Sequence, residues 1–141
     1  MKRIISIALV ILLSINTSII AFAEPETDTP IEPDIIEEYQ YTSNLGNDLY
    51  ISNKTASCQS SVYGFSGLAT RVEITQTLQK KSGSSWNFYT SWVKNYYTWY
   101  GILTTTKSGL SSGTYRLKTV AKVYSGNNYE TITVYSYTAS C

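Results

Sequence analysis

The chain has 141 residues, with 11 Lys and Arg against 10 Asp and Glu, and no His at all. The missing His removes the commonest general base and metal ligand, so a Ser-His-Asp arrangement and zinc sites built from Cys and His are excluded. Once an export segment is set aside, the length suits one domain with one core and leaves no room for a second.

Residues 1–23 carry the three parts of a cleavable secretory signal peptide. These are Lys2 and Arg3, a mostly apolar run from Ile4 to Ile20, and Ala21-Phe22-Ala23, the small-x-small pattern at which a signal peptidase cuts. Acidic rather than basic residues follow the run, and no Cys stands at the start of the mature chain to carry a lipid. The expected location is therefore secreted and extracellular, with no stable membrane anchor after cleavage.

Residues 24–40 read as an acidic, Pro-containing linker. All three prolines (Pro25, Pro30, Pro33) and seven carboxylates (Glu24, Glu26, Asp28, Glu32, Asp34, Glu37, Glu38) fall in it, with no basic residue. Such a stretch has little to bury and is expected to stay disordered. From Tyr39 onward nine Lys and Arg stand against Asp48, Glu73 and Glu130, so the domain expected over 41–141 is basic by six charges.

That domain is rich in Thr, Ser, Tyr, Val and Ile, residues that fit a pleated surface, and no proline interrupts it. Alternation predicts strands over 47–52 and 55–64, the second with Ala56, Cys58, Ser60 and Val62 inward. The run 70–80 follows, with Val72, Ile74 and Leu78 inward. After a turn at Ser82-Gly83-Ser84-Ser85, a strand over 86–94 is expected to bury Trp86, Phe88 and Trp92. A connection at Asn95-Tyr96 leads to a strand over 97–105 with Trp99 and Leu103 inward. The next strand carries Tyr115, Leu117, Thr119, Ala121 and Val123 inward. Ser125-Gly126-Asn127-Asn128 is a hairpin turn, and a last strand over 129–137 points Ile132 and Val134 inward. Seven short strands and no helix predict an all-β, antiparallel two-sheet sandwich.

Cys58 and Cys141 are the two cysteines of the chain. In an oxidising compartment such a pair is expected to form a disulfide, two free thiols being the alternative. The closed loop would be long and the chain-entropy model assigns it about 4 kcal/mol. A bridge at Cys141 would also pin a segment that otherwise frays.

The run Leu110-x-x-Gly113-x-Tyr115-x-Leu117-x-x-x-Ala121-x-Val123 resembles the tyrosine corner and penultimate strand of immunoglobulin-like and fibronectin type III domains. The resemblance implies that Leu110, Gly113 and Tyr115 close a crossover between sheets through the Tyr hydroxyl; it implies nothing about activity. The chain departs from antibody domains in lacking their buried third-strand Trp and their disulfide placement. It departs from fibronectin type III domains in having Val62 and Tyr63 where their second strand carries Trp. It is thus similar to both in architecture, and similar also to small exported single-domain proteins of Gram-positive bacteria.

No catalytic set emerges. Ser91-x-x-Lys94, Ser125-x-Asn127 and two Lys-Ser-Gly triplets resemble the motifs of penicillin-recognising serine enzymes, but in the wrong order and without a helix. A glycosidase needs two carboxylates across a cleft, and the domain offers Asp48, Glu73 and Glu130, with Glu73 in a strand. Asn53-Lys54-Thr55 is a glycosylation sequon, meaningful only in a eukaryotic secretory pathway. The expectation is a non-enzymatic protein with no cofactor and no metal.

Thirteen Tyr and three Trp exceed what one core needs. The alternation predicts Tyr89, Tyr96 and Tyr100 outward on neighbouring strands. Arg116, Lys118, Lys122 and Tyr124 share an outer side, with Tyr135 and Tyr137 beside them. Exposed rings among cations suit recognition of a glycan or an anionic polymer, whereas the same pairs also stabilise a solvated sheet face without a ligand. The expected partner is a cell-surface or extracellular polysaccharide or protein, not nucleic acid. A secreted antagonistic peptide of bacteriocin or toxin type is the alternative.

Overall fold

The computed structural model describes residues 39–141. The expected signal peptide at 1–23 and the expected linker through residue 38 lie outside the described residues. Eight strands follow: β1 (Thr42–Ser52), β2 (Thr55–Gly64), β3 (Arg71–Ser82), β4 (Ser85–Tyr96), β5 (Tyr100–Ser108), β6 (Thr114–Ser125), β7 (Asn128–Tyr135) and the short β8 (Ala139–Ser140). One sheet has the order β1-β2-β5 and the other β4-β3-β6-β7, with β8 also pairing β6. Every pairing is antiparallel. The fold is the all-β, antiparallel two-sheet sandwich that the alternation predicts, of the Ig-like kind that the resemblance implies.

Local chemistry sets the corners. β1 and β2 join through Asn53 and Lys54, both at positive φ (48° and 58°), the mirror-image turn whose twist matches a hairpin. The Tyr115 hydroxyl donates to the Ser111 carbonyl at 2.7 Å, and Leu110 is buried, so the crossover into β6 is closed by its own side chains. Gly113 stands at φ 148°, where a Cβ would also meet the Lys80 side chain at 2.6 Å.

β4 corrects the expected facing. Leu78 pairs with Thr90 while Gln79 pairs with Phe88, which leaves Tyr89 as the extra residue of a β-bulge. A one-residue offset exchanges the faces of a strand. Trp92 and Tyr96 accordingly stand opposite the inward Gln76 and Val72, while Phe88 and Trp86 join Gln79 and Lys81 on the outer side. Phe88 is 69% exposed. Tyr89 turns inward and meets Tyr115 edge-on at 5.4 Å.

The connection to β5 runs through 97–99 rather than Asn95-Tyr96. Trp99 therefore swings out of the core onto Tyr63 and Tyr100. The inward position it was expected to share with Leu103 belongs to Gly101. The Tyr96 ring lies where a Gly101 Cβ would be, at 2.4 Å, and its hydroxyl donates to the Ile102 carbonyl at 2.5 Å.

The core is two apolar clusters separated by a polar waist. Val62, Val72, Ile74, Leu103, Ala121 and Val123 fill one end, and Ala56, Cys58, Leu78, Leu110, Tyr115 and Leu117 the other. Between them five strands each place one polar side chain: Asn47, Ser60, Gln76, Thr105 and Thr119. Gln76 Nε2 donates to Ser60 Oγ at 2.9 Å and to the Leu103 carbonyl at 3.0 Å, and Gln76 Oε1 accepts from Thr105 Oγ1 at 2.6 Å. Ser60 Oγ and Thr119 Oγ1 lie 2.7 Å apart, and Thr119 donates to Asn47 Oδ1 at 2.8 Å. Asn47 Nδ2 reaches the Leu117 carbonyl in the opposite sheet at 3.1 Å. No buried side-chain polar atom among the described residues lacks a partner. A fully satisfied network of this kind fixes which row faces which.

The expected Cys58–Cys141 disulfide is corrected, since both are free thiols. Cys58 is enclosed in the second cluster, and the Cys141 thiol is turned to the Leu110 carbonyl at 3.8 Å. Pinning comes instead from backbone pairing. Cys141 N donates to Gly113 O at 2.9 Å, Gly113 N donates back at 3.2 Å, and β8 continues the ladder along β6.

Candidate functional site

β6 alternates without a break, burying Tyr115 through Val123 at every second position and so turning Arg116, Lys118, Lys122 and Tyr124 outward. Their neighbours in the register set the outer face of the β4-β3-β6-β7 sheet. Arg116 lies beside Gln79, Lys118 beside Thr77 and Tyr135, and Lys122 beside Glu73 and Thr131. Arg71, Lys81, Arg116, Lys118 and Lys122 thus share one face with a single carboxylate, Glu73.

Three of the five cations on this face, Arg71, Arg116 and Lys122, lie over rings. The Arg116 guanidinium carbon lies 4.4 Å from the Trp86 ring centroid and 4.2 Å from that of Tyr135, and its Nε donates to Gln79 Oε1 at 2.8 Å. Arg71 sits 3.7 Å over Tyr124, which packs at 5.1 Å on Tyr129. Lys122 is 3.5 Å from Glu73 Oε1. Lys118 has no ionic partner among the described residues.

A guanidinium stacked on aromatic rings keeps its N–H donors in its own plane, since the rings take its faces. Gln79 uses Nε and fixes the rotation. The terminal nitrogens are left to meet a planar or tetrahedral oxyanion, with the Lys118 ammonium one row away as a second, mobile charge.

Of the candidates predicted from alternation, Arg116, Lys118, Lys122, Tyr124 and Tyr135 are brought together on this face. Tyr137 lies past the end of β7 and is 98% exposed. Tyr100 lies on the outer face of the other sheet, its ring within 6.1 Å of Tyr63. Tyr89, expected outward, packs against the core at the bulge in β4, and Tyr96 does so because the strand runs on to it in the inward phase of Trp92. The alternation missed Trp86, whose ring is the second one that Arg116 meets, and Arg71, whose place opposite Tyr124 was legible from the same phase.

The three acidic side chains among the described residues sit apart. Glu73 faces Lys122, Asp48 lies on the outer face of the β1-β2-β5 sheet, and Glu130 accepts from Gln40 N, Tyr41 N and Thr42 Oγ1 at 2.7–2.9 Å at the start of β1. Among the described residues no three of His, Cys, Asp and Glu gather into a metal-binding group, and no helix is long and apolar enough to cross a membrane. Burial pushes the Cys58 thiol up to about 11, against a smaller lowering by the Thr105 hydrogen bond, so it is held neutral and unreactive.

No protein-family model matches the sequence, and no curated protein matches it. Among solved structures, the chain is similar in shape to wild type OgpA from Akkermansia muciniphila, at 8% identity and a TM-score of 0.40, covering 69% of this chain and 29% of that one. It therefore spans less than a third of OgpA. It is also similar to the CARDB domain of the PF1109 protein from Pyrococcus furiosus, a complex with di-metal ions, at 16% identity and a TM-score of 0.38, covering 70% and 90%.

Proposed function

We propose that this protein is an exported, non-enzymatic Ig-like module that binds an anionic extracellular or cell-surface polymer through the outer face of its β4-β3-β6-β7 sheet. One observation carries the reading: Arg116 lies over the rings of both Trp86 and Tyr135 and is fixed by Gln79. A prepositioned guanidinium loses little side-chain freedom when it meets a carboxylate, sulfate or phosphate. Four net positive charges, five cations against Glu73, supply attraction over the same face. Fibronectin type III-like architecture is part of the proposal, supported by the division of strands between the sheets and by the Tyr115 to Ser111 hydrogen bond.

Retention of the full chain on beads carrying dextran sulfate, against beads carrying plain dextran, tests the reading. The expected result is retention on the sulfated beads alone, released by salt. Equal passage through both overturns it.

A further inference from the structure

We propose a second binding site, for an uncharged glycan, on the solvent face of the β1-β2-β5 sheet. It goes beyond the anionic reading and uses none of the same residues. Four of the five cross-strand rows of this face build the site. Asp48, Gln59 and Thr104 form one row, and the Tyr50–Ser57 row lies next to it. On the other side Gly46 opens a gap beside Ser61, and the last row ends in the Tyr63–Tyr100 pair. Alternate residues of a strand lie about 7 Å apart, so Tyr50 and the Tyr63–Tyr100 pair stand about 20 Å from one another. Between them lie the side chains of Asp48, Gln59, Thr104 and Ser61, with Ile102, 43% exposed, as an apolar patch beside Ser61.

A depression of about 240 Å³ lies at the Tyr50 end, with Asp48, Ser57, Gln59 and Thr104 in its lining. The side chains of Asp48 and Gln59 make no hydrogen bond to any described residue. A carboxylate accepts from two neighbouring hydroxyls at once, and an amide both donates and accepts. The Tyr50 ring, 68% exposed, offers an apolar surface to the C–H face of a sugar. Polar partners for hydroxyls and a ring for carbons are the two demands that a pyranose makes.

Charge selects between ligand classes. Asp48 is the single charged side chain on these rows, whereas the opposite face gathers five cations. A polyanion is repelled here and drawn to the Arg116 face. A neutral polyhydroxylated chain meets no such penalty, and the aromatic pair at the far end of the strip gives it a second point of contact.

The probes are the neutral hexasaccharides of glucose, mannose and N-acetylglucosamine, titrated into the isotopically labelled full chain and followed by amide shifts. At least one is expected to give saturable shifts centred on Tyr50, Gln59 and Thr104. Gln59→Ala and Tyr50→Ala, both surface changes, are expected to weaken it at least tenfold, and Arg116→Gln to leave it unchanged. No saturable shift with any of the three sugars overturns the proposal, as does unaltered affinity in both surface variants. Retention on dextran sulfate depends on Arg116 and is read separately, so either site can fail without the other.

Discussion

Gln76 is the side chain on which the polar waist turns, because it joins Ser60, Thr105 and the Leu103 carbonyl at once. Gln76→Leu removes partners from buried groups that cannot reach water, and is expected to cost about 2–3 kcal/mol in chemical unfolding. Adding Thr105→Val removes one orphaned hydroxyl and is expected to recover part of that loss. Equal stability of the single variant and the unaltered chain would contradict the role given to the waist. Cys58 makes a second prediction. Its folded pKa, about 11, is raised above the ordinary 9.0, so its contribution is complete below pH 9 and is lost as pH rises through 11. Unfolding measured across that window is expected to show a shallower decline in Cys58→Ala, while the native thiol resists alkylation at neutral pH. Rapid labelling of native Cys58 would refute its enclosure.

Among the elements, β2 and β6 were legible because their alternation is unbroken: each buries one residue in two from end to end. β4 was not, because nothing in Trp86-Asn87-Phe88-Tyr89-Thr90 announces the residue at which the phase slips. The cost of leaving Tyr89 unpaired is set against its contact with Tyr115, a contact made only after the sheets meet. Trp99 was misplaced for a related reason, since its parity is inward but its backbone lies in the bend before β5. Gln76 keeps the inward phase of Val72, Ile74 and Leu78, and only its polarity hid it. Half the candidate face was legible in β6, and the other half depended on the bulge that brings Trp86 over Arg116. The β1–β2 turn offers a test at this scale. Lys54 holds a positive φ of 58° against steric cost, so Lys54→Gly is expected to stabilise the domain by about 0.5–1 kcal/mol. A loss in thermal midpoint on that change would mean that the turn is not the mirror-image type.

At the scale of the whole domain, the two outer faces differ in charge while sharing one core. Five cations lie on one, with rings under Arg71 and Arg116, and a single carboxylate among polar and apolar side chains on the other. The core holds these faces back to back, and the waist fixes their relative register, so the surfaces are set by the same residues that specify the fold. Charge on the first face acts over about 8 Å at physiological ionic strength, which makes any polyanion binding salt-sensitive. The most direct measurement is calorimetric titration of the full chain with dextran sulfate at several salt concentrations, beside Arg116→Gln and Gln59→Ala. The account predicts affinity that falls with salt, drops about tenfold or more in Arg116→Gln, and is unchanged in Gln59→Ala; equal affinity of Arg116→Gln and the unaltered chain would contradict it.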